Sequence, residues 1–62
     1  MAMKTPKVEV WEAKPGDWHW HLKSRNGEIQ AQGEGHPTRH KALRAVESVR
    51  RNMAAAVIKV LL

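Results

Sequence analysis

The segment Gly16-Asp-Trp-His-Trp-His-Leu-Lys-Ser-Arg-Asn-Gly-Glu-Ile-Gln-Ala-Gln-Gly-Glu-Gly35 reads as two alternating strands joined at Asn26-Gly27. A two-residue type I′ turn needs positive φ at both central positions, and Asn followed by Gly tolerates this best. Such a turn sets Arg25 opposite Glu28, Ser24 opposite Ile29, Lys23 opposite Gln30, Leu22 opposite Ala31 and His21 opposite Gln32. Trp20 then meets Gly33, His19 meets Glu34 and Trp18 meets Gly35. Cross-strand partners share a face, so Trp18, Trp20, Leu22, Ile29 and Ala31 form a core face. His19, His21, Lys23 and Arg25 lie on the other, against Glu34, Gln32, Gln30 and Glu28. A slip of one residue would mix the two sets. Gly33 and Gly35 each leave room for an indole ring to lie across the neighbouring strand, so Trp18 and Trp20 read as core.

Upstream, Lys7 to Ala13 alternates and reads as a first strand with Val8 and Val10 toward the core. Trp11 then falls on the outer face beside Glu9, where the monomer's own core does not account for it. It reads as a subunit contact, with a partner or ligand platform as the other reading. Residues 1–6 read as a flexible start, with Pro6 placed just before the strand. Lys14-Pro15-Gly16-Asp17 is a turn, and because a plain type II turn twists a hairpin the wrong way, a loop of more than two residues is expected.

Downstream, Gly35-His36-Pro37 stops the sheet and Thr38 is a candidate N-cap. From Arg39 to Asn52 the period becomes helical. Ala42, Leu43, Val46, Val49 and Met53 fall on one arc, and His40, Lys41, Arg44, Glu47, Ser48 and Arg51 on the other. Arg50 and Arg51 then sit in the last turn, with Asn52 as a left-handed cap. The tail, Ala54-Ala-Ala-Val-Ile-Lys-Val-Leu-Leu62, is rich in β-formers, and residues 56 to 61 read as a fourth strand. A lone apolar strand at a chain end has to pair with its own sheet or a partner's. The expected fold is therefore α+β, a three-stranded antiparallel meander with one helix on one face and a short C-terminal strand (β-β-β-α-β), in a single domain over residues 7–61. Val57, Ile58, Val60 and Leu61 form the candidate dimer strand.

Sixty-two residues make one small domain with a marginal core, and the absence of cysteine removes disulfides and thiolate metal sites as sources of stability. A non-thiolate metal site or self-association remains as a source of stability; association is favoured, and a homodimer by edge pairing or strand exchange is expected. The N-terminus lacks the apolar core of a signal peptide and no stretch approaches a membrane span, so a soluble, cytoplasmic protein without membrane partners is expected. The net charge of +5, from 11 Lys and Arg against 6 Asp and Glu, suits solubility and is compatible with anionic partners.

Several of these stretches together resemble the YegP-like family of small bacterial and archaeal proteins. They are Val8-Glu-Val-Trp11, Gly16-Asp-Trp-His-Trp-His-Leu22, Asn26-Gly-Glu-Ile29, Glu34-Gly35 and Ala45-Val-Glu-Ser-Val-Arg-Arg-Asn52. The resemblance spans residues 8 to 60 and implies a three-stranded antiparallel sheet with a helix across one face, in tandem repeats or in single units that dimerise. The chain departs from the pattern at His19 and His21, where arginines are frequent, and at Ala45, where glycine is frequent. The family is a domain of unknown function, so the resemblance implies a fold and no activity.

Four histidines raise the question of a metal. His19 and His21 face away from the helix, whereas His36 and His40 lie near its start, so four ligands do not converge in one protomer. Solvated histidines are expected, His19 paired with Glu34, and no metal or cofactor. With no glycine-rich phosphate loop, no cysteine and no deep cleft expected, the chain reads as a non-catalytic interaction or assembly module. The alternative is a nucleic-acid-binding protein using the basic, Trp-bearing sheet face, where Trp11, His19, His21, Lys23 and Arg25 would stack bases and track phosphates.

Overall fold

The computed structural model describes residues 5–61. Strands β1 (Lys7–Lys14), β2 (Asp17–Lys23) and β3 (Ile29–His36) form an antiparallel sheet in the order β1-β2-β3, followed by helix α1 (Arg39–Ala55). The expected α+β meander with one helix is thus present. Residues 1–4 of the expected flexible start lie outside the described residues, and Thr5 and Pro6 precede the sheet without belonging to it.

The central hairpin keeps the expected pairing at Trp20–Gly33, His21–Gln32 and Leu22–Ala31, but reaches it by a different turn. Ser24 and Glu28 close the loop: the Ser24 N–H donates to the Glu28 carbonyl at 2.9 Å and the Gly27 N–H to the Ser24 carbonyl at 3.0 Å. Gly27 has φ +87°, and among the described residues no non-glycine residue has positive φ. This is a three-residue loop, Arg25-Asn26-Gly27, with only its last residue left-handed. Asn26 keeps negative φ because its carboxamide has local work: it accepts from the Ser24 hydroxyl and, at 3.3 Å, from the Glu28 N–H.

The loop shifts the register by one, so that Lys23 faces Ile29, and an extra residue in β3 then restores the expected pairing from Leu22 onward. Ile29 consequently moves off the core face and is 53% exposed. A second irregularity in β3 places Trp18 opposite His36 instead of Gly35, beyond which nothing lies within 4 Å of a Cβ at Gly35. The expected Trp18–Gly35 contact therefore does not form.

Strand β1 pairs from Lys7–Lys23 to Glu12–Trp18, then shifts register before Lys14–Asp17. The connection is Pro15-Gly16 alone, with Gly16 at φ +75°, shorter than the loop expected from the sequence. The irregularity beside it supplies the twist that a two-residue turn of this type lacks.

Thr38 caps α1, its hydroxyl accepting from the Lys41 N–H at 3.1 Å. The helix does not end at Asn52 but runs to Ala55, since Met53-Ala-Ala are strong helix formers. Asn52 is therefore inside the helix, with its side-chain amide 3.4 Å from the Ser48 hydroxyl, and the last turn carries no basic residue. Ala56 then turns extended (φ −70°, ψ 141°). The fourth strand expected over residues 56–61 is absent from this single chain. Val57, Ile58, Val60 and Leu61 are instead 83–92% exposed, because a strand exists only where a neighbouring backbone receives its hydrogen bonds.

The core is correspondingly small. Trp20 and Ala42 are its buried hydrophobic residues, and the helix stripe is used unevenly: Leu43, Val49 and Met53 remain exposed. At the centre, Trp20 lies flat on Gly33. A Cβ there would stand 2.3 Å from Trp20 Nε1 and 2.7 Å from Cε2.

That geometry makes Gly33→Val an overpacking change expected to cost about 1–3 kcal/mol, and Trp20→Ala a truncation expected to cost about 3–5 kcal/mol. Urea unfolding followed by circular dichroism measures both. Wild-type stability in either variant would show that the indole is not the centre of the core.

Candidate interaction surfaces

The outer sheet face is built by alternation. Glu9 and Trp11 of β1 stand opposite His21 and His19 of β2, so all four side chains rise on the same side of the sheet. The Trp11 ring lies 4.6 Å from that of His21 and 5.6 Å from that of His19, tilted by 54° and 59°. Trp11 is 37% exposed, as its position opposite the core residues requires.

The charges on this face are paired among themselves. His21 Nε2 lies 2.6 Å from Glu9 Oε1, and the Lys23 ammonium donates to the same oxygen at 3.3 Å. His19 Nε2 lies 3.1 Å from Asp17 Oδ2, two residues away on its own strand, instead of meeting the expected Glu34. The hydrogen bond from His21, then that from Lys23, holds the Glu9 carboxyl below its ordinary value of 4.5. The hydrogen bond from His19 does the same to Asp17, below 3.8. Four of the five residues expected on this surface, Trp11, His19, His21 and Lys23, are thus brought together. Arg25 is not, because the three-residue loop takes it off the strand. Among the described residues, no group of three or more His, Asp or Glu side chains is placed to hold a metal ion.

The opposite face has a different character. Between the sheet and the second half of α1 runs an open groove of about 700 Å³ lined chiefly by Val8, Val10, Leu22, Val46, Val49 and Met53. Trp20 closes its floor, and its buried indole Nε1 has no acceptor among the described residues. Glu47 and Arg50 stand at the rim, 3.6 Å apart. The sequence gives no direct sign of this groove. It appears because the helix meets the sheet tightly at Ala42 and stands off where Val49 and Met53 follow. Among the described residues, no helix is long and apolar enough to cross a membrane.

The carboxylates give the outer face an acid dependence with a definite sign. A carboxyl whose folded value is depressed adds stability that is fully present above its unfolded value and is lost as pH falls through the folded one. The contribution of Glu9 and Asp17 is therefore present above about pH 4.5. Glu9→Gln should flatten the fall of the urea midpoint on acidification below that point. An unchanged pH profile in the variant would show that the Glu9–His21–Lys23 cluster contributes nothing to folding.

Comparison with known proteins agrees with this architecture. The model of a domain of unknown function, DUF1508, matches residues 13–59. A UPF0339 protein of Agrobacterium fabrum is 36% identical over 50 residues, covering 81% of each chain. Another, from Neisseria meningitidis serogroup B, is 35% identical over 51 residues, covering 82% of this chain and 91% of its own. The solution structure of a protein from Haloferax volcanii superposes with a TM-score of 0.77 at 33% identity, covering 95% of this chain and all of that one. With its meander, its helix and these relatives, the chain belongs to the DUF1508 family, the YegP-like domains of unknown function.

Proposed function

We propose that this chain is a non-catalytic, homodimeric assembly module in which residues 56–61 of each protomer fill the helix–sheet groove of the other. The observation that carries the reading is the coexistence, in one small chain, of an empty apolar groove and an exposed apolar segment. The surface exposed is 5601 Å². A compact monomer of 7.1 kDa exposes about 4,100 Å², so about 1,500 Å² is in excess. That excess is ample for the roughly 800 Å² per partner that a stable interface buries. The radius of gyration agrees, at 13.6 Å against about 10.6 Å for a compact chain of this length.

The segment is unsuited to its own groove. It leaves α1 extended, and residues 53–62 contain no Gly, Pro or Asn with which to reverse direction. A second copy presents the same segment from outside. Burying Val57, Ile58, Val60 and Leu61 contributes roughly 1.5–3 kcal/mol each, or roughly 12–24 kcal/mol for two tails. This exceeds the association cost of about 4–15 kcal/mol over most of the range. The absence of catalysis in this reading rests on the lining of the groove, which apart from Lys7, the Glu47–Arg50 pair, the Trp20 indole N–H and the Met53 thioether is hydrocarbon and backbone, with no nucleophile or general base converging on one point.

Sedimentation equilibrium at micromolar concentration should give twice the 7.1 kDa chain mass. Val57→Asp with Ile58→Asp should give a folded monomer, as should Val49→Asp on the groove side, where the residue is already 43% exposed. A wild-type monomer under these conditions would overturn the proposal.

A further inference from the structure

The positive charge of this protein is confined to one part of it. Residues 1–38 carry five Lys and Arg (Lys4, Lys7, Lys14, Lys23 and Arg25) against five acids, whereas residues 39–62 carry six against Glu47 alone, so the whole net charge of +5 arises from the helix and tail. On the sheet, Lys23, His19 and His21 of the outer face are tied to Glu9 and Asp17. On the helix, the one carboxylate, Glu47, is held by Arg50. Among the described residues, no carboxylate lies within ion-pair distance of Lys41, Arg44 or Arg51.

These three residues lie on the solvent side of α1 together with His40, Ser48 and the Arg50-paired Glu47, opposite the arc of Ala42 and Val46 that meets the sheet. At 1.5 Å per residue, Lys41 to Arg51 spans about 15 Å, which fits a linear array of negative charge better than a single small anion. The first turn of α1 also contains no acidic residue, and Arg39, His40 and Lys41 instead crowd the positive end of the helix dipole. The protein itself does not relieve this repulsion.

From this distribution we infer that the solvent face of α1 is a docking surface for the phosphate backbone of duplex DNA, bound without sequence preference. Two of the three unpaired cations are arginines, whose fork binds phosphate oxygens bidentately. The stripe has no aromatic residue on which an unpaired base would stack, which favours a duplex over a single strand. Leu43, 40% exposed, borders it beside His40, Arg44 and Arg51, but a single half-exposed leucine is neither the aromatic anchor that centres a protein–protein interface nor enough apolar surface to enter a bilayer. The stripe is complete in one protomer, so the inference stands or falls independently of dimerisation.

Fluorescence anisotropy of a short labelled DNA duplex, titrated between about 50 and about 200 mM salt, tests the assignment. Three phosphate contacts predict a log–log slope of about −3 per stripe, reduced to about −1 in Arg44→Ala/Arg51→Ala. Arg44→Lys/Arg51→Lys should retain the wild-type slope and so separate charge from folding. Trp11→Ala, on the other face, should leave it unchanged, as should Val57→Asp when the slope is expressed per stripe. Absence of binding at about 50 mM salt would overturn the inference. So would loss of binding in Trp11→Ala with Arg44→Ala/Arg51→Ala unaffected. Tighter binding of the matching single strand, or binding to anionic vesicles without binding to the duplex, would overturn it equally.

Discussion

The contact of the Trp20 ring with Gly33 is the constraint on which the rest of this small fold depends. A ring of that size reaches a neighbouring strand only where that strand has no side chain, and a Cβ on Gly33 would overlap it at 2.3 Å. Trp20 on the sheet and Ala42 on the helix are the buried hydrophobic residues, and a side chain as short as alanine lets the helix approach closely there. Sheet and helix are thus joined near the start of α1. Further along, the larger side chains of Val49 and Met53 find no facing layer, and the two surfaces separate into the groove.

The two faces of the sheet are governed by different physics. Toward the helix, apolar area is incompletely covered, and the favourable change still available is its removal from water. On the outer face, Lys23 offsets Glu9, and His21 and His19 bind Glu9 and Asp17, so the carboxylates around Trp11 are each engaged by a neighbour. Such exposed pairs contribute little to stability, but they lower the field that this surface presents to an approaching anion. The helix lies outside that neutralised cluster and retains its field.

Strand order, helix and core face were legible in the sequence because period-2 alternation and the helical stripe are strong signals over many residues. The turn was legible in place but not in type. Asn26-Gly27 marked the reversal, yet the Asn26 side chain bonded locally and a three-residue loop resulted. The expected pairing of Trp20 survived because an extra residue in β3 offset that loop, a cancellation that alternation alone does not reveal. The outer-face cluster was legible except at Arg25 and in the partner of His19, both of which depend on these local irregularities. The tail could not be read from propensity: β-forming residues define a strand only with a neighbour, and Val57 to Leu61 have none among the described residues. The helix's share of the charge was present in the sequence but emerged only once residues 1–38 were seen to hold equal numbers of bases and acids, with Glu9 and Asp17 engaged by Lys23, His21 and His19.

The irregularities of β3 also bear on how the sheet ends. Each register shift tilts the peptide groups away from the regular spacing that an incoming strand needs, and β3 carries one near each end. On the opposite margin, β1 stays in register from Lys7 to Glu12 before its own irregularity. The sheet is therefore polar in its capacity to grow, with one margin an ordered template and the other an interrupted one. Edge-to-edge stacking into an open-ended ribbon requires two competent margins per molecule. A molecule with one cannot propagate such a ribbon, so a small chain with so much apolar surface carries protection against fibre formation in its backbone.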